Sequence, residues 1–564
     1  MSRPLAGLRA PPLPGRHLGR ALVVGGGRIL AEEWRSAALN RWLTARPRPT
    51  GFSLQPRDFR PADAEAGRAI LAGAFVHDGV TLVVGVRGDP WDRPSPTKAF
   101  AEALHRFDWL PDLIAAGPEG AAEALRLVLD WRRVFGTWNA FSWAPEVMAR
   151  RVFNLACAGP LLAARASEAE TAKIAGDLAR QARDLLGPGS VATAAERAAC
   201  AAVAGASLRG LAGKRLLDRA LGKLGRALDL TVGAEGGHAS RRPDLALELL
   251  FDLQTLDEAM VQRGLAAPDG VQRAIDRLAA TVRFFTLADG ALAAFHGGAA
   301  RSASYVAAAR AQDETGDRPA ANDLGGYQRL EARTLEVVAD AAPPPRGAWS
   351  ERACDQPLAM QVLVGGRRLI DAGAGRGIAS ACTVEVGELP DARVLRGFPA
   401  RVLGARLAAP AAAVEAQRHE APGAVWLDLA HHGWMAKHGL VHQRRLYLDT
   451  QAGELRGEDR LTPTARAQGP DGRHFVPYAL RFPLHPGVQA LVSQDRRSVL
   501  LRPISGYEGW ILRNDALDIA LEPLAGGRGL QLVLRGQRRA DSGARVRWKL
   551  APARQQIDGP KAQA

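Results

Sequence analysis

The chain has 564 residues, room for about three to five domains at roughly 100–200 residues each. Hydrophobic residues make up 47% and charged residues 24%, which excludes a chain too polar to bury a core. The 74 basic and 59 acidic residues leave a formal charge of +15. That suits an acidic polysaccharide, nucleic acid or a membrane surface. Only seven of the cations are lysine, however, so GC-rich coding gives the same arginine excess without a polyanion.

Four scattered cysteines (Cys157, Cys200, Cys354, Cys382) exclude a disulfide-built scaffold, and none forms the C-x-x-C pair of a zinc ribbon or thioredoxin-type motif. No apolar run approaches the ~18–20 residues a bilayer span needs. Residues 1–19 lack the apolar core of a secretory signal. The chain is therefore expected in the cytoplasm, with the periplasm or cell envelope as the alternative.

In chain order, residues 1–95 read as an arm of mixed short elements, including the apolar stretches Ala21–Val24 and Val80–Val86. From 96 to 318 apolar residues recur at three and four, as in Leu245, Leu249, Leu253 and Leu256. Helices of similar length with no strand between them predict helix packed on helix in a ring or solenoid. Over 325–553 the period becomes two. Met360–Val364, Arg445–Leu448, Ser498–Arg502, Leu530–Leu534 and Arg545–Leu550 are predicted strands of an antiparallel sandwich. Residues 554–564 read as a frayed tail.

Several motifs fail. Gly25–Gly27 lacks the G-x-G-x-x-G spacing, and Gly213–Lys214–Arg215 lacks the rest of a phosphate loop. The segment Lys214–Arg226 interleaves basic residues with leucines at helical spacing, which reads as a solvated face or an anion-binding one. No nucleic-acid module is present, so that partner class is not expected.

Two clusters carry chemistry. In AEGGHASRRPD (234–244), two glycines permit a tight turn and gather His238, Arg241 and Arg242 ahead of Pro243. Paired arginine forks would grip a carboxylate; a helix-capping turn with exposed arginines is the alternative. In HHGWMAKHGLVHQRR (431–445), four histidines fall within twelve residues of a predicted hairpin. Even spacing would put His438 and His442 on one strand face. Each histidine is a candidate acid, base or ligand, or a structural group.

With LHRFDWL (104–110), IDRLAATVRFFTLADGALAAFHG (275–297), GGYQRLEA (325–332) and LRGEDRL (455–461), these segments resemble the heparinase II/III family, in its alphaproteobacterial-type branch. The resemblance runs from about residue 90 almost to the C-terminus. It implies an incomplete (α/α) toroid followed by an antiparallel β-sandwich, and a polysaccharide lyase acting on uronate-containing glycans. β-Elimination needs the carboxylate neutralised, a base at C5 and an acid at the leaving oxygen. The resemblance offers His238 with Arg241 and Arg242 for the first role, and His431, His442 or Tyr327 for proton transfer. Trp109, Trp138 and Trp143 are candidate sugar-stacking faces or core residues.

The chain also departs from the family. The tyrosine base expected after the GG-H loop is replaced around Leu245 and Ala246. Cys354 stands where the family has a histidine and Ala381 where it has another, while Asp371 survives. A zinc site needs three or more protein ligands, and Cys354 with Asp371 supplies two at most. No cofactor is therefore expected. A lyase with relocated chemistry and a catalytically lost protein that still binds an acidic glycan both remain open.

Overall fold

The computed structural model describes residues 15–37, 39, 46–313, 321–373, 375–387, 394–408, 412–465, 467, 474–504, 508–524 and 529–553. The expected tail at 554–564 lies outside these residues. The first half is helical: α1 (Gly15–Ser36), α2 (Ala64–Leu71), α3 (Lys98–Arg106), α4 (Leu110–Ala115), α5 (Pro118–Phe135), α6 (Pro145–Ala163), α7 (Glu168–Leu185), α8 (Ala194–Ser207), α9 (Gly210–Thr231), α10 (Pro243–Gln262), α11 (Asp269–Phe285) and α12 (Ala303–Arg310). One antiparallel hairpin, β1 (Ala74–His77) with β2 (Val80–Val83), sits between α2 and α3.

Local chemistry sets the helix ends. Ser167 and Glu170 close a capping box at the start of α7, and proline opens α5, α6 and α10 where a missing N–H costs nothing. α8 is the hub of the toroid. Its alanine-rich run is buried from Arg197 to Ser207, and it packs against α6, α7, α9 and α10. A side chain at Gly205 would stand 2.6 Å from the Leu217 backbone of α9, so glycine sets how closely these two helices approach.

The second half is antiparallel throughout. A five-stranded sheet comprises β3 (Asp323–Leu324), β4 (Tyr327–Ala332), β5 (Leu335–Asp340), β6 (Met360–Val364) and β7 (Arg367–Ile370), in that order. A four-stranded sheet comprises β8 (Val384–Val386), β13 (Phe475–Pro483), β17 (Asp518–Pro523) and β18 (Leu530–Arg539), ordered β17-β18-β13-β8. An eight-stranded sheet holds β9 (Val414–Ala421), β10 (Ala424–His431), β11 (Leu440–Asp449), β12 (Glu454–Pro463), β14 (Val488–Val492), β15 (Ser498–Pro503), β16 (Trp510–Asn514) and β19 (Ala544–Pro552). Its order is β14-β15-β16-β19-β12-β11-β10-β9. Alternation is clean along β11, where Leu440, His442, Arg444, Leu446 and Leu448 point inward. Short helices α13 (Gly397–Leu403) and α14 (Met435–His438) lie in the connections.

This is the toroid-then-sandwich architecture expected from the change of period. One hydrophobic core runs through both halves, joined where the Tyr327 ring meets Phe285 and Phe295 at 4.9 Å each. Two readings need correction. The N-terminal arm contains a 22-residue helix, α1, rather than only short pieces. Gly19, Gly25, Gly26 and Gly27 depress its helix propensity and break the run that would have revealed it. His438 and His442 do not share a strand face: the chain makes a helical turn at α14, ended by Gly439 in the left-handed region (φ 66°).

Gly457 on β12 lies opposite Trp548, and an added Cβ would stand 2.0 Å from the indole. Gly457→Ala is expected to destabilise the fold by about 1–3 kcal/mol through overpacking, read as a lower urea midpoint at unchanged slope.

Candidate functional site

The glycine loop before α10 builds the candidate cradle. Gly236 and Gly237 have φ of +89° and +75°, and a Cβ on Gly236 would meet Thr281 Oγ1 at 2.9 Å. The Gly237 N–H donates to Thr281 Oγ1 (2.8 Å), which pins the loop to α11. Arg241 takes the left-handed conformation (φ 57°), turning its side chain toward the sandwich. The resulting depression is lined by Gly237, His238, Arg241, Arg242, Thr281 and Tyr327, among others, and encloses about 230 Å³ including its open mouth. Small-molecule sites run from about 300 to 1,000 Å³, so this depression by itself is small for a sugar unit and its surroundings.

Each polar side chain of the cradle already has a partner, though Arg241 Nε is buried without one. The backbone N–H of Ser240 donates to His238 Nδ1 (3.1 Å), which places the imidazole proton on Nε2, and Nε2 donates to Glu196 Oε1 (3.1 Å). Arg241 donates to Asp340 Oδ1 (2.7 Å), the Pro343 carbonyl (2.6 Å) and the Gly326 carbonyl (3.1 Å). Its guanidinium also covers the Tyr327 ring at 4.5 Å. Arg242 makes a fork to Asp244, at 3.1 and 2.6 Å. The Tyr327 hydroxyl donates to the Arg241 carbonyl (2.7 Å), and burial pushes its phenol well above the ordinary range, opposite to what a base requires. His296 Nε2 also lies 3.0 Å from Asp340 Oδ2. Burial alone would raise the Asp340 carboxyl, but Arg241 and His296 hold it below the usual range.

The sandwich histidines lie apart from this cradle. His431 and His442 face each other across β10 and β11, both buried. Asp459 accepts His442 Nε2 (2.8 Å), Arg444 Nε (2.8 Å) and Trp548 Nε1 (3.0 Å), and Arg444 also donates to the Leu358 and Cys382 carbonyls. Burial opposes the ionised Asp459, yet Arg444 and His442 bring its carboxyl down to about 2, while burial lowers the His442 imidazole.

For Trp109 and Trp143 the core alternative is the one the structure bears out, and the sugar-stacking one is corrected. Trp109 and Trp143 are 6% and 4% exposed, with indole N–H groups donating to the Leu104 and Phe135 carbonyls, so they present no face to a sugar. Trp138 is half-buried against the same core. Cys354 is buried, its thiol pushed up to about 11 by desolvation, and Asp371 accepts the Gln361 amide (3.2 Å). Among the described residues no three His, Cys, Asp or Glu side chains converge as a metal site requires, so the residues present do not fit a zinc ion.

The sequence reading missed Glu196, His296, Asp340 and Asp459, which hold the named residues in place. His296 and Asp459 lie inside segments quoted above, and nothing local marks Glu196 or Asp340.

Fold and cradle together define the class of protein. Residues 314–549 match the family described as heparinase II/III-like, C-terminal, and the chain belongs to the heparinase II/III-like family. The solved structure of heparinase III superposes with a TM-score of 0.68 at 14% identity, over 97% of this chain and 92% of that one. The heparan sulfate lyase HepC mutant from Pedobacter heparinus gives 0.56 at 14%, over 95% and 90%. At such identity these likenesses show the fold alone. Across the whole length the chain is 47% identical to FtsZ-localized protein C of Caulobacter vibrioides, covering 98% of this chain and 99% of that protein.

Removing the Asp459 carboxylate leaves a buried guanidinium unpaired, so Asp459→Asn is expected to cost about 3–5 kcal/mol in urea unfolding at pH 7. Because its carboxyl is lower in the folded than in the unfolded chain, this stabilisation is complete above about pH 4 and is lost as pH falls toward 2. A urea series over that range checks the sign: wild type loses the increment, and the variant does not.

Proposed function

We propose that this chain is a catalytically silent heparinase II/III-like protein that works by binding, at FtsZ and against a membrane surface. The observation that carries the first part is the occupied cradle. Elimination beside a uronate needs a free cation for the carboxylate and a base of accessible pKa. Here Arg241 is bound to Asp340 and Arg242 to Asp244, His238 is held at both nitrogens, and Tyr327 is a buried neutral phenol. A uronate would have to break an ion pair that already joins the two halves. The same pairing weighs against an acidic glycan held by these arginines. The whole-length relative named for its localisation with FtsZ supports the binding role.

Attachment to a lipid surface is supported by α1. No described helix is long and apolar enough to cross a membrane. On α1, however, Leu18, Leu22, Val23, Ile29, Leu30 and Trp34 are exposed on one side, with Val23 at 77% and Leu30 at 72%. The opposite side is fastened down. Ala21 packs on Leu395, Leu403 and Ala408, the His17 ring reaches the Ala408 carbonyl (3.1 Å), and Arg35 donates to the Pro188 carbonyl (3.0 Å). A helix fastened along one side with most of its large apolar side chains turned outward is suited to lie in the interfacial plane of a bilayer.

Two measurements test this reading. Incubation with a panel of uronate-containing polysaccharides is expected to give no rise in the ultraviolet absorbance of unsaturated product; a rise abolished by His238→Ala would establish a lyase instead. Wild-type protein is expected to co-sediment with anionic phospholipid vesicles. Leu22→Glu/Ile29→Glu/Leu30→Glu is expected to lose at least about tenfold in partitioning, since each buried side chain is worth about 1–3 kcal/mol.

A further inference from the structure

We propose that the outer face of α9 is a docking surface for an acidic peptide segment of a partner protein, one with apolar residues at its ends. This rests on the reading of the chain as a binding protein. Leu211, Arg215, Arg219, Lys223, Arg226 and Leu230 recur at spacings of four, four, four, three and four. On a helix that spacing forms one continuous stripe. All six are exposed, the two leucines at 56% and 58%. The opposite face fixes the helix rotation: Ala212, Leu216, Leu217, Ala220, Leu224 and Leu228 are buried in the toroid.

The stripe carries four cations without a direct ion pair among the described residues. Some surface arginines have carboxylate partners, such as Arg126 with Asp130 (2.9 Å) or Arg547 with Asp515 (2.8 Å), while others, such as Arg273 and Arg513, are exposed singly; α9 gathers four cations in one stripe. Among the described residues no ion pair engages Arg215, Arg219, Lys223 or Arg226. The acidic residues of the same helix, Asp218 and Asp229, stand three residues after Arg215 and Arg226 along one edge of the stripe, and no described ion pair joins them to it. The Lys223 ammonium donates to the Leu186 carbonyl, and beyond burial, Arg219, Arg197 and Arg226 depress its pKa. An anion laid here relieves repulsion without breaking an existing pair.

The spacing selects the kind of anion. Successive cations one helical turn apart rise about 6 Å. Alternate side chains of an extended peptide are about 6.5–7 Å apart, so every second residue can meet one cation. The leucines close the stripe at both ends, about 28 Å apart. A nucleic acid or acidic glycan held by charge would have no use for them, whereas a peptide has side chains to offer. A bilayer fits poorly, because two leucines separated by four cations give too little contiguous apolar area to insert.

The test uses the full chain and a fluorescein-labelled synthetic peptide with four aspartates at alternate positions between terminal leucines. Fluorescence anisotropy is expected to show binding that weakens with salt. Arg215→Glu/Arg219→Glu/Arg226→Glu should weaken it at least about 20-fold, and Leu211→Ser/Leu230→Ser about fivefold. These are exposed positions, and unchanged circular dichroism melting separates lost binding from lost fold. Absence of peptide binding, or peptide affinity unchanged by the charge reversals, overturns the assignment. So does unchanged affinity in the leucine variant together with tight binding of a duplex DNA 20-mer, which marks a plain polyanion patch. Co-sedimentation with FtsZ reads the broader function separately. If wild type sediments with FtsZ but ignores the peptide, only the surface is wrong; if it binds the peptide but not FtsZ, the FtsZ reading fails and the surface stands.

Discussion

The ion pair between Arg241 and Asp340 is the constraint on which the rest depends. It joins the loop before α10 to the last residue of β5, and so ties the toroid to the sandwich. Neither charge is accessible to water in quantity, so each would be costly alone and the two are stable only together. Around them Tyr327 donates to the Arg241 carbonyl, His296 reaches the same carboxylate, and the Arg241 guanidinium covers the tyrosine ring. Groups of the kind that a lyase turns toward substrate are here turned toward one another. The cradle is a rivet.

That has a consequence for the outside of the molecule. Further contacts reinforce the join: Arg329 donates to the Phe284 and Thr286 carbonyls, Arg368 to Asp289 and the Leu292 carbonyl, and the Ala288 N–H to Glu336. With its two halves held in register, the molecule offers rigid outer faces. Two of these carry the proposed contacts. α1 turns most of its large apolar side chains outward while Ala21, His17 and Arg35 fasten it to both halves, and α9 carries, between two exposed leucines, four cations with no described ion pair. A lipid surface and an acidic peptide are what these faces would receive, and they leave the interior network untouched.

The fold was largely legible from periodicity. Residues 96–318 repeat at three and four because each toroid helix buries one face, and the sandwich strands alternate because each has one side in the core. The strand at Met360–Val364 matches its expected bounds, and those around Arg445, Ser498 and Leu530 fall within the observed strands. α1 was hidden by four glycines and by an apolar face turned outward, away from any core. Trp109 and Trp143 could not be assigned from sequence, because a large aromatic reads the same whether it lines a cleft or fills a core.

The site divides along a similar line. The sequence by itself determined that a glycine turn brings His238, Arg241 and Arg242 together, because that clustering depends only on neighbouring residues and on φ values glycine alone tolerates easily. Only the tertiary structure decided what those residues do. Glu196, Asp340 and Gly326 lie 42, 99 and 85 residues from the side chains they hold. Whether an arginine is a free cation or half of a buried pair is a property of the far end of that contact. No local pattern encodes it, since the partner is supplied by another element and the pairing exists only once toroid and sandwich have closed on each other.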